Sequence, residues 1–351
     1  MKMKSHDLFN ENILKKCLLL ILIIFVTQSP DVKQFTNINL AAGEHSFSII
    51  GWELKHLPEK WIHKVWTQIP GNKPTLEEKI TLIDEYFELT QSINLLYQQN
   101  QTPKKLNYDK ELLRSRVEQS IETAISETAL NEDLDIMWGF IFPPVDIKLG
   151  SPPGIIVTSP KNELKLTNSK IVDGQLTNSQ RNVIEQKFEK LEYSSALVDN
   201  IAGLGTYPAI VSDQNSLKEI FNTAAHEWLH NYWLFHPLGR NMWKSTEMYT
   251  INETAANIAG DEIGIKAYEL LFGKIPETNN VSSKKQDFFF QTMKETRIQT
   301  EKFLKSGKIS EAEDYMEKQR VLINSNGYNI RKINQAYFAF RGKYGDSPAS
   351  N

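Results

Sequence analysis

Residues 216–230 read SLKEIFNTAAHEWLH, and the organisation of the chain follows from this stretch. Ser216 and Glu219 form an S-x-x-E capping box, which predicts a helix beginning at Leu217 and running through Ile220, Phe221, Ala224 and Ala225. On that helix His226 and His230 lie one turn apart on the same face, so both imidazoles can reach one cation. Glu227 follows the first histidine and turns toward the same side, where a carboxylate can take a proton from water.

HEWLH is thus an HExxH arrangement, and the cation it suggests is Zn²⁺. Zinc makes water acidic and polarises a carbonyl, which leaves the adjacent carboxylate to move protons. The bland alternative is an amphipathic helix with two partly buried histidines and Glu227 on its solvated side. A catalytic zinc site needs a third protein ligand, and the residues that follow offer His236, Glu247 and Glu253. His236 has the spacing of the third histidine in the metzincin pattern, but that pattern needs a glycine where this chain has Trp233. If the helix continues, His236 is rotated by about 240° from His230 and points elsewhere.

Glu253 sits in YTINETAANIAGD, residues 249–261, a second helical stretch after the turn-rich HPLGRNMWKST. HEWLH followed by a helix bearing Asn252 and Glu253 resembles the gluzincins, the zinc peptidases of thermolysin-like and aminopeptidase kinds. The resemblance is one of motif and covers about residues 200–265. It implies a zincin-like domain in which Glu253 is the third metal ligand beside His226 and His230. It also implies acidic support for the first histidine one turn later, where this chain has Asn257, with Asp261 a further turn on. The small residues Ala255, Ala256, Ala259 and Gly260 would let the second helix pack closely on the first. Such enzymes bind an extended peptide on an edge strand just before the metal-binding helix, and GLGTYPAIV, residues 203–211, stands there, with Gly203, Gly205 and Tyr207 as candidate substrate contacts. They also use a Tyr or His to stabilise the oxyanion. Tyr337, in an aromatic segment near the carboxyl terminus, is the first choice, with Tyr249 and Tyr328 behind it.

Working outward, residues 187–200 predict a further helix, whereas GFIFPPVDIKL and SPPGIIVTSP, between residues 139 and 160, carry the β-branched and proline signature of strands and turns. Residues 75–99 and 106–130 have apolar positions at helical spacing. The expected class is α+β and predominantly helical, with a helical region at 31–135, a boundary near 135, and the catalytic domain at 136–351.

The apolar run CLLLILIIFV, residues 17–26, follows a dilysine and predicts a signal peptide or membrane anchor within residues 1–30. A polar tether follows from Ser29 to Glu44, and the rest of the chain is expected outside the cytoplasm. The run also contains Cys17, the sole cysteine, so neither an intrachain disulfide nor a cysteine zinc cluster can form. With 40 Lys and Arg against 43 Asp and Glu, no basic excess favours nucleic acid. The expected function is a zinc-dependent hydrolase acting on a peptide or protein. The alternatives are a zinc hydrolase of a non-peptide amide, or an extracytoplasmic binding or scaffold protein in which HEWLH is structural.

Overall fold

A computed structural model describes residues 37–56, 60, 74–99, 101–135, 139–276 and 283–342. The apolar run at 17–26 lies outside them, and no helix among the described residues is long and apolar enough to cross a membrane. In chain order the elements are α1 (Asn37–Ala42), α2 (Leu76–Gln98), α3 (Lys104–Asn131), β1 (Ile147–Gly150), β2 (Gly154–Pro160), β3 (Asn168–Val172), α4 (Asn178–Leu191), β4 (Ser194–Asn200), β5 (Gly203–Leu204), β6 (Ala209–Ser212), α5 (Leu217–Trp233), α6 (Pro237–Arg240), α7 (Thr246–Phe272), α8 (Ser283–Lys305), α9 (Ile309–Ser325) and α10 (Gln335–Phe340). The class is α+β, mostly helical with small sheets.

Two three-stranded sheets organise the helices. The first has the order β1-β6-β5, with β6 parallel to β1 and antiparallel to β5. Glu122 accepts from the backbone N–H of Ile147 at 2.9 Å and Glu118 from that of Leu149 at 2.8 Å, so carboxylates on α3 cover the outer edge of β1. A sheet edge left open is a docking template, and here α3 closes one of the two. The second sheet, β3-β2-β4, is antiparallel, and the carboxyl-terminal α10 packs on it.

Three departures from the sequence expectation have clear causes. The predicted helix over 187–200 stops at Leu191, and Ser194–Asn200 pairs with β2 instead; Ala196, Leu197 and Val198 are all buried there, a continuous apolar run that suits a covered strand. The expected tether contains α1, which buries Ile38, Ala41 and Ala42 against the second sheet and α4. No break in the core falls near residue 135. Ile83, Tyr86, Ile121 and Ile125 from α2 and α3 share one apolar cluster with Phe221, Trp228, Ile263 and Leu271 from α5 and α7. The change of composition there coincides with the passage from helices α2 and α3 to the strands.

The pair α5 and α7 carries the site. The capping box forms as predicted, with Ser216 Oγ accepting from the Glu219 amide and the Glu219 carboxylate accepting from that of Ser216. Close approach of the helices depends on two glycines of α7. A Cβ at Gly260 would come 2.9 Å from His226 Cα, and one at Gly264 would come 2.6 Å from Asn222 Cα. Ala256, with no exposed surface, completes the stripe of small residues.

Candidate metal centre

His226 and His230 project from α5 toward α7, and their Nε2 atoms lie 3.0 Å apart. Glu253, in the second turn of α7, brings one carboxylate oxygen to 3.6 Å from His226 Nε2 and the other to 3.6 Å from His230 Nε2. Four ligands at about 2.0–2.1 Å from a tetrahedral zinc are separated by about 3.3–3.4 Å. The imidazole nitrogens at 3.0 Å, and each nitrogen at 3.6 Å from its own carboxylate oxygen, lie close to that spacing, so two imidazoles and a carboxylate could hold a cation of this kind. Among the described residues no other His, Cys, Asp and Glu group meets the same criterion. The Glu253 side chain keeps 31% of its surface exposed, which leaves the open side that a catalytic site needs.

The other two ligand candidates are elsewhere. His236 is the N-cap residue of α6 and stacks on Tyr232 with ring centroids 4.4 Å apart. Glu247 lies in the exposed first turn of α7, where hydrogen bonding with Ser245 holds its carboxyl below the usual range.

Burial and charge shape the titrations. Burial pushes the Glu227 carboxyl up to about 7, against an opposing pull from His226. Burial alone would lower His226, but its contact with Glu253 and the charges of Glu227 and Glu253 outweigh this and leave the ring above its ordinary value. His230 is held below its ordinary value, chiefly by burial. Burial would also raise Glu253, yet contact with the two histidines and with Tyr249 keeps it low.

Several partners differ from the sequence expectation. Asn257 is exposed, and Asp261 accepts from Asn222 Nδ2 at 2.7 Å, which ties α7 to α5 without touching an imidazole. The ring of His226 is instead held by the backbone of Ala256, while Asn252 lies beside that of His230. Asn252 is fully buried, and its Nδ2 donates to the Leu238 carbonyl at 3.4 Å. Neither its Oδ1 nor the buried His230 Nδ1 has a hydrogen-bond partner among the described residues.

Tyr337 is not brought to this centre. It is packed with Val157, Leu197 and Phe338 in the cluster beneath the second sheet, where Arg331 and Lys332 pin the tail to Glu185. Tyr328 belongs to the same region, stacked on Phe289. Tyr249 is the tyrosine that faces the site: burial, then the charge and hydroxyl contact of Glu253, push its pKa well up. Its ring also lies 5.7 Å from that of the exposed Trp243.

The candidate substrate strand is shorter than its sequence suggested. Within residues 203–212 only Gly203–Leu204 and Ala209–Ser212 are strands, and among the described residues β5 is an edge strand of its sheet. Gly203 lies directly on the general-base candidate, since a Cβ there would fall 2.5 Å from Glu227 Oε1. A Cβ at Gly205 would fall 3.3 Å from His230 Cβ. Tyr207 points away: its hydroxyl faces the Pro144 carbonyl and Asp146, and burial followed by the Asp146 charge raises its pKa strongly.

Comparison of the chain with family models, with curated proteins and with solved structures finds no match.

Proposed function

We propose that this protein is a metal-dependent hydrolase, a zinc peptidase of the gluzincin kind, with His226, His230 and Glu253 as ligands and Glu227 as general base. The observation that carries the reading is the convergence of two Nε2 atoms and one carboxylate, 3.0 to 3.6 Å apart, beside a second, buried carboxylate under the edge strand β5. When bound there, zinc supplies a Lewis acid that polarises the scissile carbonyl and makes water acidic.

The remaining work falls to the chain. Backbone groups of Gly203 receive the substrate as an added strand, which orients the amide with little demand on its side chains. Glu227 accepts the proton of the attacking water and delivers it to the departing nitrogen. The Tyr249 hydroxyl, beside Glu253, donates to the oxyanion as it forms. Glycine at 203 is required because any side chain would displace Glu227.

The test is a paired measurement on purified protein. Wild type is expected to carry about one zinc per chain and to hydrolyse a peptide mixture, and Glu227→Gln to keep the metal and lose hydrolysis. Equal hydrolysis by Glu227→Gln contradicts the assignment of the base, and absence of metal binding in wild type removes the hydrolase and favours a scaffold.

A further inference from the structure

We propose that Glu53 ends the substrate-binding edge, so that the site accepts short peptides or chain ends rather than the middle of a long extended chain. This rests on the hydrolase reading above and concerns which substrates reach that site.

The Ser212 amide donates to the Ala202 carbonyl at 2.9 Å, so Ala202 faces β6 and, by the alternation of antiparallel pairs, the N–H and C=O of Gly203 face outward. Beyond Gly205 the chain turns and its backbone groups are engaged elsewhere. The Thr206 carbonyl accepts from Asn231 Nδ2 at 3.0 Å, the Tyr207 amide donates to Glu53 Oε1 at 3.1 Å, and Pro208 has no N–H to offer. The usable edge is therefore Gly203 to Gly205, about 10 Å at roughly 3.3 Å per residue.

Glu53 is held in place on both sides. Before it, the Phe47 amide donates to the Ile171 carbonyl at 3.3 Å and Ser46 bridges to Val172, fixing the segment to the second sheet. After it, Lys60 is 4% exposed and lies 2.7 Å from both Glu118 and Glu122, on the far side of the first sheet. Between these anchors, helical residues 49–56 carry Glu53 to the Tyr207 amide, so its carboxylate stands where the next acceptor of a docked strand would fall.

Binding to zinc-loaded Glu227→Gln tests this without turnover. One probe is a fluorescently labelled library of four-residue peptides; the other is the same library extended by Gly-Ser tails at both ends. The short library is expected to bind roughly tenfold tighter, with Glu53→Ala bringing the two affinities together and Glu53→Gln, which keeps an acceptor oxygen, preserving the difference. Equal affinity for the two libraries overturns the proposal, as does an unchanged ratio in a folded, zinc-retaining Glu53→Ala protein. If Glu53→Ala does not fold, the ratio in the parent protein decides. Binding of neither library removes the edge as a docking site and the proposal with it. Failure of zinc-loaded wild type to hydrolyse either library counts separately, against the hydrolase reading alone.

Discussion

Replacing Glu227 with Gln is expected to remove hydrolysis and, in metal-stripped protein, to raise stability at alkaline pH. Glu227 is 8% exposed, and burial lifts its carboxyl from 4.5 to about 7. A carboxyl raised on folding holds its proton more tightly in the folded chain. Its favourable contribution is complete below the unfolded value and is lost as pH rises through about 7. At about 1.4 kcal/mol per pH unit, a span of roughly 2.5 units corresponds to about 3 kcal/mol, an order-of-magnitude figure. For a chain of this length that is roughly 5 °C in melting temperature. The raised His226 contributes with the same sign, and because the Glu227 charge is one of its causes the difference between the two proteins reports Glu227 together with its coupling to His226. Thermal melts of metal-stripped wild type and Glu227→Gln at pH 5 and pH 8 give the comparison. The mutant is expected to melt several degrees higher at pH 8 only, and parallel profiles for the two proteins refute the argument that burial shapes this carboxyl.

The other substitutions probe separate parts of the site. Tyr249→Phe is expected to lower kcat by about 10²–10³-fold with zinc content unchanged, while Tyr337→Phe, in the cluster beneath the second sheet, leaves kcat at the wild-type value; steady-state kinetics on both decides which tyrosine serves. Gly264→Ala places a Cβ 2.6 Å from Asn222 Cα, which should force α5 and α7 apart, cost about 1–3 kcal/mol by denaturant unfolding and weaken zinc binding. Lys60→Met removes the buried cation that Glu118 and Glu122 share, leaving Arg114 at 3.6 Å from Glu118, and is expected to destabilise by about 3–5 kcal/mol, measured in the same way.

The helix of His226 and His230 was legible because its signals are local. A capping box fixes the start and a spacing of four fixes the face, and both depend only on residues within one helix. Glu253 was legible through its helix and through a resemblance, and the structure adds the reason for its reach: glycines at 260 and 264 admit α5. What the sequence could not supply was long-range. The aromatic segment of Tyr337 reads the same in a core as at a catalytic centre, and long-range contacts such as those of Arg331 and Lys332 with Glu185 place it beneath the second sheet. Asn257 and Asp261 share a helical face with Glu253, but the residues beside the imidazoles are Ala256 and Asn252, a difference of side-chain direction that spacing alone does not give. The contact of Glu53 with the Tyr207 amide spans 154 residues and left no mark in the sequence.

The most direct test of the account is an equilibrium zinc titration of metal-stripped wild type beside Glu253→Ala. The convergence of His226, His230 and Glu253 predicts one tight site per chain in wild type, weakened a hundredfold or more when the carboxylate is removed. Equal zinc affinity in the two proteins, or no saturable site in wild type, contradicts it.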